Sequence, residues 1–368
     1  MAATKWVART LARLAGMLSG VLAAAPAQAV NLPENRAEGM WHLFKGGGVT
    51  ASGPALLVRK SLADRVSLSG SYYVDAVSNA SIDVVTTASP FKERRNAYDL
   101  GAEIVVRDST ISLSTSRSIE PDYTASAVNL DVAQELFGAM TSVSLGFTRG
   151  ADTVARRDDP GFADVAKHWQ YRLGVTQILT PRWLASLNVE AISDSGYLGN
   201  PYRAARVFGA LIPERHPRTR SSRSFKFRAT GDLGSRDALR TEYRYFYDTW
   251  DIRAHTFEAG YSRYVGEPWL ADGFVRLNAQ DKALFYSDNA QADSTYVTRN
   301  RQLGTFNSFS LGTKLSYSYR KVPGEYEIKL HGQYELMRFK YSDFTDVRTG
   351  GAYAFTGHIL QFYVTATY

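Results

Sequence analysis

From Arg36 to Tyr368 the chain returns again and again to a two-residue period, and that period limits what it can fold into. In residues 65–75, Val66, Leu68, Gly70, Tyr72 and Val74 alternate with Ser67, Ser69, Ser71, Tyr73 and Asp75. In residues 238–247, Leu239, Thr241, Tyr243, Tyr245 and Tyr247 fall on one side, and Arg240, Glu242, Arg244 and Phe246 on the other. Successive side chains of a strand point to opposite faces, so each segment reads as a strand with one apolar and one polar face. After Ala29 no apolar run approaches the length of a membrane helix. A chain of such strands has its lipid-compatible surface on alternate residues only.

The connections between these segments alternate in length. Long polar breaks fall at 76–95, 151–166, 193–220, 287–301 and 340–352, and the third contains Pro201, Pro213 and Pro217, which cannot donate to a ladder. Tight turns separate the remaining segments, among them Phe137-Gly138-Ala139, Thr180-Pro181-Arg182 and Val322-Pro323-Gly324. The pattern predicts strands at 96–107, 274–286 and 325–339 among about sixteen in all, with every long connection after an odd-numbered strand. A weak first segment (36–44) and an irregular sixth (124–136) leave fourteen or eighteen open. The predicted fold is all-β: a transmembrane antiparallel up-and-down β-barrel with short periplasmic turns, long extracellular loops and both termini in the periplasm.

The last twelve residues complete this pattern. Leu360, Phe362, Val364, Ala366 and Tyr368 share one face and Ile359, Gln361, Tyr363, Thr365 and Thr367 the other. A strand stopping on an aromatic resembles the closing strand of bacterial outer-membrane barrels, which implies the barrel assembly machinery as a partner through Tyr368. Closure pairs the 36–44 region with 359–368 and leaves no open edge. The lipid bilayer and lipopolysaccharide are the other expected partners, and a monomer is the default.

At the other end, Lys5, Arg9 and Arg13 precede the apolar stretch 14–25 and an Ala27-Gln28-Ala29 cleavage site, the plan of a signal peptide spanning 1–29. An N-terminal anchor is the rival reading. The barrel then occupies 30–368. Losing three basic residues trims the formal net charge of +7, so basicity gives no case for nucleic acid. The absence of cysteine excludes a disulfide framework and thiolate metal sites.

By parity the face opposite the apolar one holds Arg59, Glu103, Arg172, Glu190, Lys226, Arg228, Arg240, Glu242, Arg244, Glu258, Arg276, Lys314, Glu327, Lys329, His331 and Glu335. Charges are costly towards lipid, so these are expected to face the lumen. Their mixed signs suit either an aqueous channel or a barrel occluded by pairing across its interior. An excess of basic residues over 226–244 suggests an anionic solute. Tyrosines such as Tyr72, Tyr171, Tyr243, Tyr247, Tyr317 and Tyr319 suit interfacial belts.

The densest polar loop, Pro213-Glu-Arg-His-Pro-Arg-Thr-Arg220, offers Arg215, His216, Arg218 and Arg220 as contacts for anionic lipopolysaccharide or for a constriction. The competing reading is a solvated loop held by local salt bridges. The unusually apolar loop 81–90 is expected to pack, with the barrel mouth as one place for it. The six histidines show no metal spacing, His255 with Glu258 is the nearest approach to a catalytic pair, and nothing marks a nucleophile. No catalytic residue, metal or cofactor is predicted. A barrel enzyme acting on lipid or peptide is the least favoured class.

Several stretches resemble one family. They are Glu34-Asn-Arg-Ala37, Gly46-Gly-Gly-Val49, Gly53-Pro-Ala-Leu-Leu-Val-Arg-Lys60, Ser71-Tyr-Tyr-Val-Asp75, the block Ala80-Ser-Ile-Asp-Val-Val-Thr-Thr-Ala-Ser-Pro90, Pro213-Glu-Arg-His-Pro217 and Tyr243-Arg-Tyr-Phe-Tyr-Asp248. They are similar to the domain-of-unknown-function family numbered 3570 of Gram-negative bacteria. That resemblance implies an outer-membrane barrel with no established activity, and it assigns no site residue. The functional expectation is a channel or transporter for a small, anionic solute. The alternative is a structural or partner-docking barrel with an occluded lumen.

Overall fold

The computed structural model describes residues 32–63, 65–79, 81 and 91–368. The expected signal peptide and, beyond Ser81, the apolar loop 81–90 lie outside the described residues. In chain order the strands are β1 (Arg36–Gly46), β2 (Val49–Ala63), β3 (Val66–Asn79), β4 (Phe91–Val106), β5 (Ser109–Ile119), β6 (Tyr123–Leu136), β7 (Thr141–Ala155), β8 (Ala163–Thr180) and β9 (Trp183–Gly196). They continue with β10 (Ala204–Val207), β11 (Ala210–Pro213), β12 (Thr219–Asp232), β13 (Asp237–Asp248), β14 (Arg253–Val265), β15 (Trp269–Gln280), β16 (Phe306–Val322), β17 (Tyr326–Thr345) and β18 (Ala352–Thr367). Sixteen of these close into one antiparallel barrel, while β10 and β11 form a separate hairpin within the connection from β9 to β12.

Closure satisfies the backbone of what would otherwise be two exposed edges. It joins β1 to β18 in the register Arg36 with Thr367, Phe44 with Ile359 and Gly46 with Gly357, as the terminal pattern predicts. Outward positions form an apolar band, with Leu100, Leu113, Leu173, Leu187, Phe227, Leu311 and Phe362 all exposed on the outer wall. Outward aromatics pair along the wall: Tyr72 with Tyr98 at 5.0 Å in mid-strand, and Trp269 with Tyr317 at 4.5 Å towards the turn end.

The long connections 80–90, 156–162, 197–218, 281–305 and 346–351 all leave from one end. Connections at the other end have four residues or fewer, and β1 starts and β18 finishes there. Several strands differ in extent from their predicted limits: β7 reaches Ala155, β8 begins at Ala163 and β9 reaches Gly196, each running into a predicted loop. β4 begins at Phe91, and β17 runs on to Thr345, where inward-facing Phe339 and Tyr341 pack with Phe306, Phe355, Phe344 and Tyr353. β15 occupies Trp269–Gln280 and not 274–286. Gly266, at φ 71°, lets three residues make the turn, and Ala283 and Tyr286 are drawn into a loop core with Trp250, Ile252 and Leu303.

That loop core belongs to a cap. The β10–β11 hairpin packs Ala205 and Val207 on Val297 of the 281–305 connection. Backbone hydrogen bonds of 2.9–3.0 Å join Phe208 to Ala290 and Arg215 to Val297. Arg299 lies 4.2 Å from the ring centre of Phe344 and donates to Asp288, tying the cap to β17.

Candidate functional site

Register sorts the polar residues by face, since directly paired residues share a side of the sheet. Every residue of the sequence-derived inward set, from Arg59 to Glu335, lies opposite the exposed apolar band. On β12–β17 these side chains form a ladder. Arg228 donates from Nε and Nη2 to Glu242 at 2.8 and 2.6 Å. Arg240 donates to Glu258 at 2.9 Å, and Arg276 reaches the other oxygen of Glu258 at 2.8 Å and Glu335 at 3.2 Å. Arg244 donates to Ser224 at 2.9 Å and stands 4.0 Å from Glu190.

Lys226 has no carboxylate partner among the described residues, and Lys314 lies 5.8 Å from the centre of the Tyr363 ring. On the other side of the barrel Arg172 grips both oxygens of Asp131 at 2.9 and 3.0 Å, passing over Gly146. A Cβ at Gly146 would stand 2.2 Å from Asp131 Oδ1. β3–β9 are otherwise acidic on this face, with Asp75, Glu93, Asp99, Glu103, Asp131, Glu135, Asp152, Glu190 and Asp194 among the acids, against Arg95 and Arg172.

The ion pairs therefore run along the wall. Among the described residues each pair between two inner-face strand positions lies on one strand, on neighbours or on strands one removed. At the loop end Glu93 of β4 meets Arg157 of the connection after β7. The side chains of Arg228, Arg240, Arg244 and Arg276 stay 45, 42, 44 and 39% exposed. Such pairing stiffens the wall and leaves the guanidinium heads within reach of water.

The loop arginines are engaged locally. Arg218 makes a bidentate contact of 2.7 and 2.8 Å with Asp164, Arg220 donates to Asp248 at 2.7 Å, and Arg215 donates to Asp293. His216 is enclosed by Trp250 and Phe285 and meets Glu214 at 3.1 Å. Burial raises the Glu214 carboxyl, but hydrogen bonds from His216 and Thr298 outweigh it and hold the group below its ordinary range.

His255 and Glu258 do not come together: His255 is on the outer face with Tyr243, and Glu258 is on the inner face with Arg240. His42, 2.8 Å from Asp75, is one histidine whose partner residue order does not show, and His168, whose two ring nitrogens face Asp152 and Asp194 at 2.8 Å each, is another. Its place next to outward Trp169 was the available signal. Among the described residues Glu93, Glu120 and Asp122 are the group of three carboxylates within 4.8 Å of one another, at the loop end.

A closed barrel with an apolar outer band, a charged inner wall and all long loops at one end is an integral outer-membrane β-barrel. Among solved structures, one described as a bacterial polysaccharide outer membrane secretin is similar, with a TM-score of 0.50 at 10% identity, over 92% of this chain and 100% of that one. OmpT, an outer membrane protein of Vibrio cholerae, gives a TM-score of 0.47 at 8% identity, over 92% and 100% of the two chains. At these identities the likeness concerns the fold. No curated protein sequence matches the chain. The chain belongs to the family described as "Protein of unknown function (DUF3570)", whose model matches residues 14–334. In barrels of this class the turn end lies in the periplasm and the loop end outside the cell.

Proposed function

We propose that this protein is a passive outer-membrane channel for small polar solutes carrying an anionic group. The carrying observation is the arginine ladder on β12–β17, whose members are paired along the wall and still 39–45% exposed towards the interior. A guanidinium already held by one carboxylate keeps further donors for a passing carboxylate or phosphate, and Lys226 adds a cation without an acidic partner among the described residues. The acidic wall of β3–β9 opposes it, so the reading favours solutes aligned by a transverse field over bulk anions. It includes no catalytic step and no cofactor. The bilayer and, through the strand ending at Tyr368, the barrel assembly machinery are its proposed partners.

Planar-bilayer conductance tests it: open channels with a reversal potential favouring anions, shifted towards cations by Lys226→Gln with Arg244→Gln, are expected. Absence of conductance would sink the proposal. The second reading, an occluded docking barrel, draws on the cap of 197–218 and 281–305 at the mouth. Conductance that appears only after the 283–299 segment is shortened would favour it.

A further inference from the structure

The outer wall carries polar side chains where lipid should meet only apolar ones. On β17, Arg338 lies in the outward row with Phe309, Leu277, Phe257 and Tyr243 of β16, β15, β14 and β13. One row nearer the loops, Lys340 is paired with Asn307 and shares a row with Ala279 and His255 further round. These residues line a shallow groove of about 430 Å³ on the outside of the barrel, and its small floor residue Ala279 makes room between larger neighbours.

Arg338 and Lys340 are both exposed, and neither has a carboxylate partner among the described residues. Arg338 donates to Thr356 at 2.9 Å, a contact that orients the guanidinium without neutralising it. A cation facing lipid is costly except near the headgroups, where it needs an anion. The same end of the outer wall also carries Arg149 over Trp169 and Arg223 over Tyr247.

We infer that this groove binds a phosphorylated glycolipid of the outer leaflet, lipopolysaccharide, with its phosphate on Arg338 and Lys340 and its acyl chains on Phe257, Leu277 and Phe309. Charge complementarity selects a phosphate, because Arg and Lys together supply charge-assisted donors to it. The breadth selects a many-chained lipid: β14–β17 are four strands at about 4.8 Å spacing, wider than one acyl chain. Asn307, paired with Lys340, and His255, three strands along the same row and with its Nδ1 2.7 Å from the Tyr243 hydroxyl, offer partners for sugar hydroxyls across the groove. This places the glycolipid contact on the membrane-facing wall and not on the loop arginines, which carboxylates already hold. It rests on the outer-membrane location and is independent of conduction.

The test uses the full-length barrel, delipidated in detergent, with binding of purified lipopolysaccharide, phosphatidylglycerol and inorganic phosphate measured in parallel. Variants are Arg338→Gln with Lys340→Gln, and Lys60→Gln at the turn end as control; heat-modifiable migration verifies that each is folded. Lipopolysaccharide is expected to bind the wild type and the control alike and the double variant at least about tenfold more weakly. Unchanged binding by the folded double variant overturns the inference. So does phosphatidylglycerol binding as tightly as lipopolysaccharide, or inorganic phosphate displacing it at equal concentration.

Discussion

Thr365 on the last strand donates a 3.0 Å hydrogen bond to Glu38 on the first, across the seam where the barrel closes. Glu38 also receives Arg36, so the inner side of the seam is polar and satisfied. The outer side, one residue away in either direction, presents Val364 and Ala366, with Phe362 further along.

This contrast predicts opposite outcomes for one kind of substitution. Phe362→Lys puts a charge towards lipid, at a cost of up to about 2–4 kcal/mol, and is expected to abolish heat-modifiable folded protein in the outer membrane. Thr365→Lys gains Glu38 as a partner and should assemble at near wild-type levels. Equal assembly of both variants would mean the register across the seam is wrong.

Two glycines make a second contrast. A Cβ at Gly53 on β2 would stand 1.9 Å from the backbone oxygen of Val74 on β3, so the strands must part to admit it. At Gly39 the nearest atom is a Leu56 methyl at 3.7 Å, an ordinary contact. Gly53→Ala is expected to lower unfolding stability by about 1–3 kcal/mol and Gly39→Ala by far less, read from urea unfolding in lipid vesicles.

Arg276 links two acids on the inner wall. Glu335 is only 7% exposed, and Arg276 is its one ion-pair partner among the described residues. Arg276→Ala should leave that carboxylate uncompensated, cost about 1–3 kcal/mol and move the reversal potential towards cations. A reversal potential unchanged in a folded variant would show that this part of the wall does not face the permeation path.

The cap should loosen in acid. The Glu214 carboxyl is held below its ordinary value of 4.5, so its contribution is present above that value and lost as pH falls through the depressed one. The Arg299 backbone N–H, which donates to Glu214 at 2.9 Å, loses its charged acceptor at the same time. Fluorescence of Trp250, packed against His216 and Phe285, is expected to change in acid, below the ordinary carboxylate range, in the wild type and to lose that transition in Glu214→Gln. An identical acid transition in both proteins would remove Glu214 from the explanation.

Much of this architecture is legible in residue order. Alternation such as Leu239, Thr241 and Tyr243 against Arg240, Glu242 and Arg244 assigns each side chain to a face, because the strand period is two and lipid tolerates one kind of face only. Loop parity orients the barrel for the same reason. Strand ends are less legible: β15 was displaced because a three-residue turn at Gly266 suffices, and Tyr286 resembles a strand residue until Trp250 is seen beside it.

By itself the sequence determined the closed barrel, its orientation and the face of almost every charged residue, since these follow from a local two-residue repeat. Only the tertiary structure decided who meets whom. Arg276 joins Glu258 to Glu335, His168 sits between two aspartates, and Arg338 shares an outer row with Phe257. Those neighbours depend on the stagger between strands, which no single strand encodes and which closure imposes on all sixteen together.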